Sequence, residues 1–211
     1  MGIKIWIRVL MKKILLSCTD FTYQIGYRTL FRKAGFALFS EEILLLTGEN
    51  GAGKSSLLRY IYSHFREKMF QTEKNLRISY LGHETGLYSS LSLFENLQYF
   101  SGLGGHDPDM QKAEFLLEGF SLKKRLHDPV FSFSEGMKKK SGLCRLFLQN
   151  AELYLLDEPF NALDKKSYDF LEKIILEKKK TAGVVLVSHD ERVRHIADRE
   201  LRIEKENLVE V

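Results

Sequence analysis

At 211 residues, 44% of them hydrophobic, the chain is long enough to bury a substantial core as one domain and too short for a second complete one. Its two cysteines, Cys18 and Cys144, stand far apart without metal-ligand spacing, which argues against a disulfide framework or a zinc site and favours a reducing compartment. The net charge of +4 is too small for a dedicated nucleic-acid binder, and no apolar run approaches the ~18 residues that a membrane crossing needs.

Residues 1–10 read as an extension, with Met11 as an alternative start. Leu15-Leu16-Ser17-Cys18 after Lys12-Lys13 has the outline of a lipoprotein processing site. Only residues 14–16 separate the lysines from Ser17-Cys18, however, whereas a signal segment carries ~7–15 apolar residues. Residues 14–18 are therefore expected to form a first strand. Phe21, Tyr23 and Tyr27 follow, and two readings stand for such rings: stacking on an adenine face, for which Tyr27 is the choice, or packing in the core. Phe36-Ala37-Leu38-Phe39 and Ile43-Leu44-Leu45-Leu46 predict two strands joined by the polar turn Ser40-Glu41-Glu42.

The second of these strands runs into Gly48-Glu49-Asn50-Gly51-Ala52-Gly53-Lys54-Ser55-Ser56, a match to G-x-x-x-x-G-K-[ST]. In such a loop successive backbone N–H groups face one concavity, the lysine reaches the outer phosphates and the first hydroxyl, here Ser55, serves Mg²⁺. Leu57, Leu58 and Ile61 continue at helical spacing, and the helix N-terminus adds its partial positive charge. A strand, this loop and a helix in that order bind a nucleotide.

Residues 76–81 alternate as a strand and end in Gly82-His83-Glu84-Thr85-Gly86. Ligands gather outside the carboxyl ends of parallel strands, so His83 is read either as a group facing the nucleotide or as a solvated loop residue. From 91 to 149 the pattern turns helical, as an inserted subdomain would. Ser92 and Glu95 form a capping box for a helix through Phe100; residues 102–105 read as a loop; Asp107-Pro108 predicts the start of a helix with Met110, Ala113, Leu116 and Leu117 inward. Ser134 is the expected N-cap of a further helix carrying Leu143, Leu146 and Phe147. Between 119 and 145 seven basic residues, Lys138-Lys139-Lys140 among them, face two acidic ones, a charge run that reads as a solvated face or, at that helix N-terminus with its small residues, as a phosphate contact.

Leu153-Tyr154-Leu155-Leu156 is a buried strand that ends in Asp157-Glu158. Carboxylates at a buried strand end need a cation or a proton-transfer partner: Asp157 suits Mg²⁺ through water, and Glu158 suits a general base that polarises the water attacking a γ-phosphate. Asn161-Ala162-Leu163-Asp164 is a polar turn before a helix with Leu171, Ile174 and Ile175 on one face. Residues 183–187 form another apolar strand, followed by Ser188-His189-Asp190. His189 reads as a hydrogen-bonding partner of the γ-phosphate or the attacking water, or as a capping residue; His64, His106, His127 and His195 have no such placement. A small hairpin, at 201–203 and 208–209, closes the chain.

With these pieces in order, nearly the whole chain resembles the ATP-binding subunit of ATP-binding cassette (ABC) transporters. Residues 48–56 stand at the Walker A position, 153–157 at Walker B, Glu158 at the catalytic glutamate, 161–164 at the D-loop and His189 at the switch histidine. Residues 133–137 stand at the LSGGQ signature, keeping Ser134 and Gly136 but carrying Glu135 for the first glycine and Met137 for the glutamine; His83 stands where a Q-loop glutamine is usual. The resemblance implies an α/β P-loop NTPase fold, a RecA-like and mostly parallel sheet with N-terminal antiparallel strands, in one domain with a helical signature subdomain inserted at about 91–149. It implies ATP and Mg²⁺ as cofactors, with nucleotide contacts from residues 48–56, Tyr27, Ser134, Gly136 and Asp164, metal contacts from Ser55, His83 and Asp157, and catalysis by Glu158 and His189. It also implies a homodimer or paired nucleotide-binding subunits on integral membrane permease subunits, at the cytoplasmic face of the inner membrane, with indirect membrane contact and no nucleic acid. Residues 82–87 with 91–97 look most like the haem-export ATPase of cytochrome c biogenesis. The alternatives are another small ABC exporter, a soluble non-transport ABC ATPase and a P-loop small-molecule kinase, the last leaving the signature-like segment unexplained.

Overall fold

The structure, a computed structural model, describes residues 12–105 and 107–211; the expectations for residues 1–10, Met11 and His106 lie outside the described residues. A six-stranded sheet has the order β5 (Ile78–Leu81), β6 (Leu153–Asp157), β7 (Gly183–Val187), β3 (Ile43–Gly48), β8 (Arg199–Glu204), β9 (Asn207–Glu210). The first five run parallel, and β9 returns antiparallel as the expected terminal hairpin. Every residue of β6 and β7 is buried, which is why these segments are apolar throughout rather than alternating. Ile43 and Leu45 of β3 face the helical side of the core; Leu44 and Leu46 face the other.

That other face is covered by helix α1 (Lys54–His64) and by a three-stranded antiparallel sheet of β2 (Arg28–Phe39), β1 (Ile14–Ile25) and β4 (Gln71–Thr72). The strands expected at 14–18 and 36–39 are thus parts of a long hairpin that turns at Gly26-Tyr27. Register shifts between Cys18 and Phe21 and on either side of Tyr23 break the two-residue alternation and hide the continuity from the sequence. Phe21, which is fully buried, packs on Phe31, Phe36, Tyr60 and Phe70, and Cys18 is buried beside them.

The block between β5 and β6 holds helices α2 (Leu93–Leu103), α3 (Met110–Gly119) and α4 (Glu135–Leu148), and α5 (Lys165–Lys179) links β6 to β7. The Ser92–Glu95 capping box is present, but α2 runs past Phe100 and takes in Gly102, ending at the Gly104 cap. The N-cap of α3 is Asp109, whose side chain accepts from the Lys112 N–H; Asp107 and Pro108 precede the helix, and Met110 is half-exposed rather than inward. β5 begins at Ile78, two residues later than the alternation suggests. Ala113, Leu116 and Leu117 of α3 and Leu143, Leu146 and Phe147 of α4 share one core with the sheet residues Leu81, Leu156 and Leu186. No helix among the described residues is long and apolar enough to cross a membrane.

Between α3 and the end of α4 the Lys112 ammonium donates to the Leu148 carbonyl and to Asn150 Oδ1 at 3.2 and 2.8 Å. Burial, with the neighbouring Lys178, depresses its pKa from 10.5 to about 8. The unfolded chain then binds a proton that the folded chain does not, so stability rises with pH through the window from about 8 to 10.5. The thermal midpoint of Lys112→Met is expected to rise less between pH 7.5 and 9.5 than that of the parent; parallel curves would contradict the assignment.

Candidate functional site

Register places the site. Leu46 of β3 and Asp157 of β6 both pair with Val187 of β7, and Leu81 of β5 pairs with Leu156. The glycine loop, the Asp157-Glu158 pair, Ser188-His189 and the loop of His83 therefore leave the sheet at one edge, as ligand-binding loops of parallel sheets do.

In the 48–56 stretch the loop proper ends at Gly53, the N-cap of α1, whose φ of 110° suits glycine and whose Cβ would lie 3.2 Å from the Phe31 ring. Lys54 is buried, and its Nζ donates to the carbonyls of Gly48 and Glu49 at 2.8 and 2.9 Å, inside the turn of the loop. Burial lowers its pKa, against the pull of the Glu158 and Asp157 carboxylates. Ser55 is exposed on the first turn and Ser56 half-buried. Arg28, which sequence reasoning passed over, donates from Nη2 to the Gly51 carbonyl at 3.1 Å and so ties the tip of the β1–β2 hairpin to the loop. Tyr27, next to it, is fully exposed, which removes the core-packing reading of that ring.

Asp157 is buried, and its Oδ1 has no hydrogen-bond partner among the described residues; the same holds for Glu158 Oε1. Glu158 has a left-handed backbone, φ 47°, with its N–H donating to the Val187 carbonyl at 2.9 Å. Burial raises its pKa, and the His189 charge opposes that rise. His189 is exposed, its Nε2 is 3.6 Å from Glu158 Oε1, and its N–H donates to Glu158 Oε2 at 3.4 Å. The sequence-level role for His189 looked toward phosphate or water; in the structure its neighbour is Glu158. His83 is exposed and lines a cleft of about 490 Å³ with Glu135, Lys138, Lys139, Glu158 and Ala162.

Ser134 caps α4, accepting from the Met137 N–H at 3.3 Å. A Cβ on Gly136 would lie 2.7 Å from the Ala162 carbonyl oxygen, so this glycine lets the 161–164 turn lie against the start of α4. Glu135 is exposed and ion-pairs with Lys138 at 2.9 Å, which offsets its charge. Asp164 caps α5 through the Ser167 N–H and pairs with Lys140; that ammonium, chiefly, holds its carboxyl down at about 2. The three consecutive lysines thus do not share one face. Lys138 meets Glu135, Lys140 meets Asp164, and Lys139 is buried with its Nζ 3.1 Å from the Asp157 carbonyl oxygen. The signal that separates them is helical periodicity: Lys139 is four and seven residues before the buried Leu143 and Leu146. Of the remaining histidines, His64 stacks on Tyr60, His127 packs on Phe94 and His195 pairs with Glu172.

Comparison with known proteins agrees with this geometry. The ABC transporter family description matches residues 31–161, more than half of the chain. The cytochrome c biogenesis ATP-binding export protein CcmA 2 of Cupriavidus metallidurans is 32% identical over 180 residues, covering 80% of this chain and 85% of that protein. CcmA of Shewanella frigidimarina is 32% identical over 205 residues, 90% and 93% of the two chains, and an uncharacterized ABC transporter ATP-binding protein of Haemophilus influenzae is 34% identical over 177 residues, 81% and 74%. A solved ATP-binding subunit of an ABC transporter superposes with a TM-score of 0.83 at 25% identity, covering 93% of this chain and 89% of that one. With loop, acid pair and signature-like segment assembled on this sheet, the chain belongs to the ABC transporter family, as an ATP-binding and ATP-hydrolysing subunit.

Proposed function

We propose that this subunit powers an export step in cytochrome c biogenesis, with haem as cargo, by hydrolysing ATP at the strand ends described above. Supporting the chemistry is one observation: the phosphate loop, Asp157, Glu158 and His189 leave adjacent strands at the same edge of the sheet. Lys54 exchanges its loop carbonyls for phosphate oxygens, and the N–H groups of residues 48–56 surround the same phosphates. Glu158 accepts a proton from the attacking water, its basicity raised by burial. His189 orients the Glu158 carboxylate from its exposed side.

The residues present fit a magnesium ion, since Asp157 offers a buried carboxylate oxygen without a hydrogen-bond partner among the described residues and Ser55 an exposed hydroxyl at the loop's end. Ser55 and Asp157 would hold it, with His83 reaching it from the cleft; when bound, the ion neutralises phosphate charge. Tyr27, at the hairpin tip tied to the loop by Arg28, stacks on the adenine. The chain, residues 1–211, acts as one ABC ATPase domain with the helical block at about 91–149 inserted, and two copies close so that Ser134 and Gly136 of one, with Asp164 beside them, meet the nucleotide of the other.

The cytochrome c assignment is supported by relatives of that name that align over most of both chains. In it the protein sits at the cytoplasmic face of the inner membrane, held there by integral permease subunits. Purification of the tagged protein from membranes, with the bound integral proteins identified, is expected to return haem-export subunits. Recovery of a different permease would move the chain to another small exporter, a reading that the Haemophilus influenzae relative also allows.

A further inference from the structure

The single peptide unit between Asp157 and Glu158 is held at both of its polar groups. Its N–H, on Glu158, donates to the Val187 carbonyl at 2.9 Å; its carbonyl, on Asp157, accepts from Lys139 Nζ at 3.1 Å. The rotation that follows this peptide is the left-handed φ of 47° at Glu158, a conformation that non-glycine residues keep only where the surroundings impose it. Lys139 reaches the peptide from α4 as a buried ammonium, 8% exposed. An ammonium is costly to bury without compensating charge. The compensation is close by: burial lowers the Lys139 pKa, and the Asp157 and Glu158 carboxylates oppose that. Lys138, Glu135, His83 and Glu84 line the same cleft, while Lys54 and His189 act on Glu158 from the phosphate loop and from the end of β7.

We infer that Lys139 is a positioning residue for hydrolysis: by fixing the Asp157–Glu158 peptide it aims the Glu158 carboxylate, without itself touching the nucleotide. This rests on the reading of Glu158 as the general base. The Lys139 ammonium meets the chain at the Asp157 carbonyl, outside the glycine loop, so nucleotide affinity and turnover separate. The geometry also distinguishes aiming from simple packing, because a group that acts through Glu158 has nothing to act on once that carboxylate is gone.

The test is a double-mutant cycle with a binding measurement beside it. Lys139→Met is expected to lower turnover at saturating ATP by about 10–100-fold, the scale of a misplaced reacting group. Its affinity for a non-hydrolysable ATP analogue should stay within about threefold of the parent, since uniform binding is untouched, and Lys139→Arg, which keeps donor and charge, should recover most of the loss. On the Glu158→Gln background Lys139→Met should change the residual turnover by less than about twofold, because residues acting as a unit are not additive. A multiplicative loss on that background, or loss of analogue binding together with turnover, would show a general structural role and overturn the inference. Parent-level turnover in Lys139→Met beside an inactive Glu158→Gln would overturn it too while leaving the site intact. Parent-level turnover in Glu158→Gln would instead remove the reading on which it rests.

Discussion

Glu158→Gln is expected to lower ATP turnover by roughly 10²–10⁴-fold, the usual contribution of a general base, with ATP affinity close to that of the parent. The substitution keeps size and hydrogen-bonding reach but removes the proton acceptor. Glu158 is well placed to lose only that. Its backbone is fixed by the Val187 carbonyl, its Oε1 is buried without a hydrogen-bond partner among the described residues, and burial raises its pKa, which makes it a readier proton acceptor than a solvated carboxylate. The neutral amide is also cheaper to bury than the carboxylate, so the fold is not expected to suffer. Steady-state hydrolysis and equilibrium binding on one preparation check both halves of the expectation, and near-parent turnover would contradict the assigned chemistry.

Lys54→Met is expected to act in the opposite way, on binding first. A charge-assisted hydrogen bond is worth about 1.5–3 kcal/mol, so its loss should weaken ATP affinity by roughly 10–100-fold. In the structure the Lys54 ammonium is spent on the carbonyls of Gly48 and Glu49, and burial already strains its charge. An incoming triphosphate offers a stronger acceptor than either carbonyl. Methionine fills the same volume but leaves those two carbonyls without their donor, so thermal unfolding should accompany the measurement. Parent affinity in a folded Lys54→Met would place the nucleotide somewhere other than this loop.

The parts of the fold legible in the sequence were those with a single dominant cause. β3, β6 and β7 are buried on both faces, and continuous apolar runs admit no other reading at that length. The glycine loop and the Asp157-Glu158 pair follow from chemistry that few other residue orders support. The β1–β2 hairpin was not legible as a whole, because register shifts scatter its buried side chains off a two-residue period. The α3 cap was misplaced because Asp107 and Asp109 flank Pro108 as equally good caps in sequence; in the structure the helix starts at Met110 and the Asp109 side chain accepts from the Lys112 N–H. Lys139 was hidden by composition: three lysines in a row read as one charged surface, whereas the helix turns each to a different partner. Tyr27 shows the limit from the other side, since the sequence left it between core and nucleotide and its full exposure removes the first.

The central claim is that one edge of the sheet assembles a hydrolytic site around the glycine loop. The structure of Glu158→Gln with Mg²⁺ and ATP tests it most directly. The triphosphate is expected on Lys54 and the loop 48–56, with a water within about 2.6–3.2 Å of residue 158, hydrogen-bond reach for a general base. A triphosphate bound away from Lys54, or a γ-phosphate whose nearest water faces neither residue 158 nor His189, would contradict it.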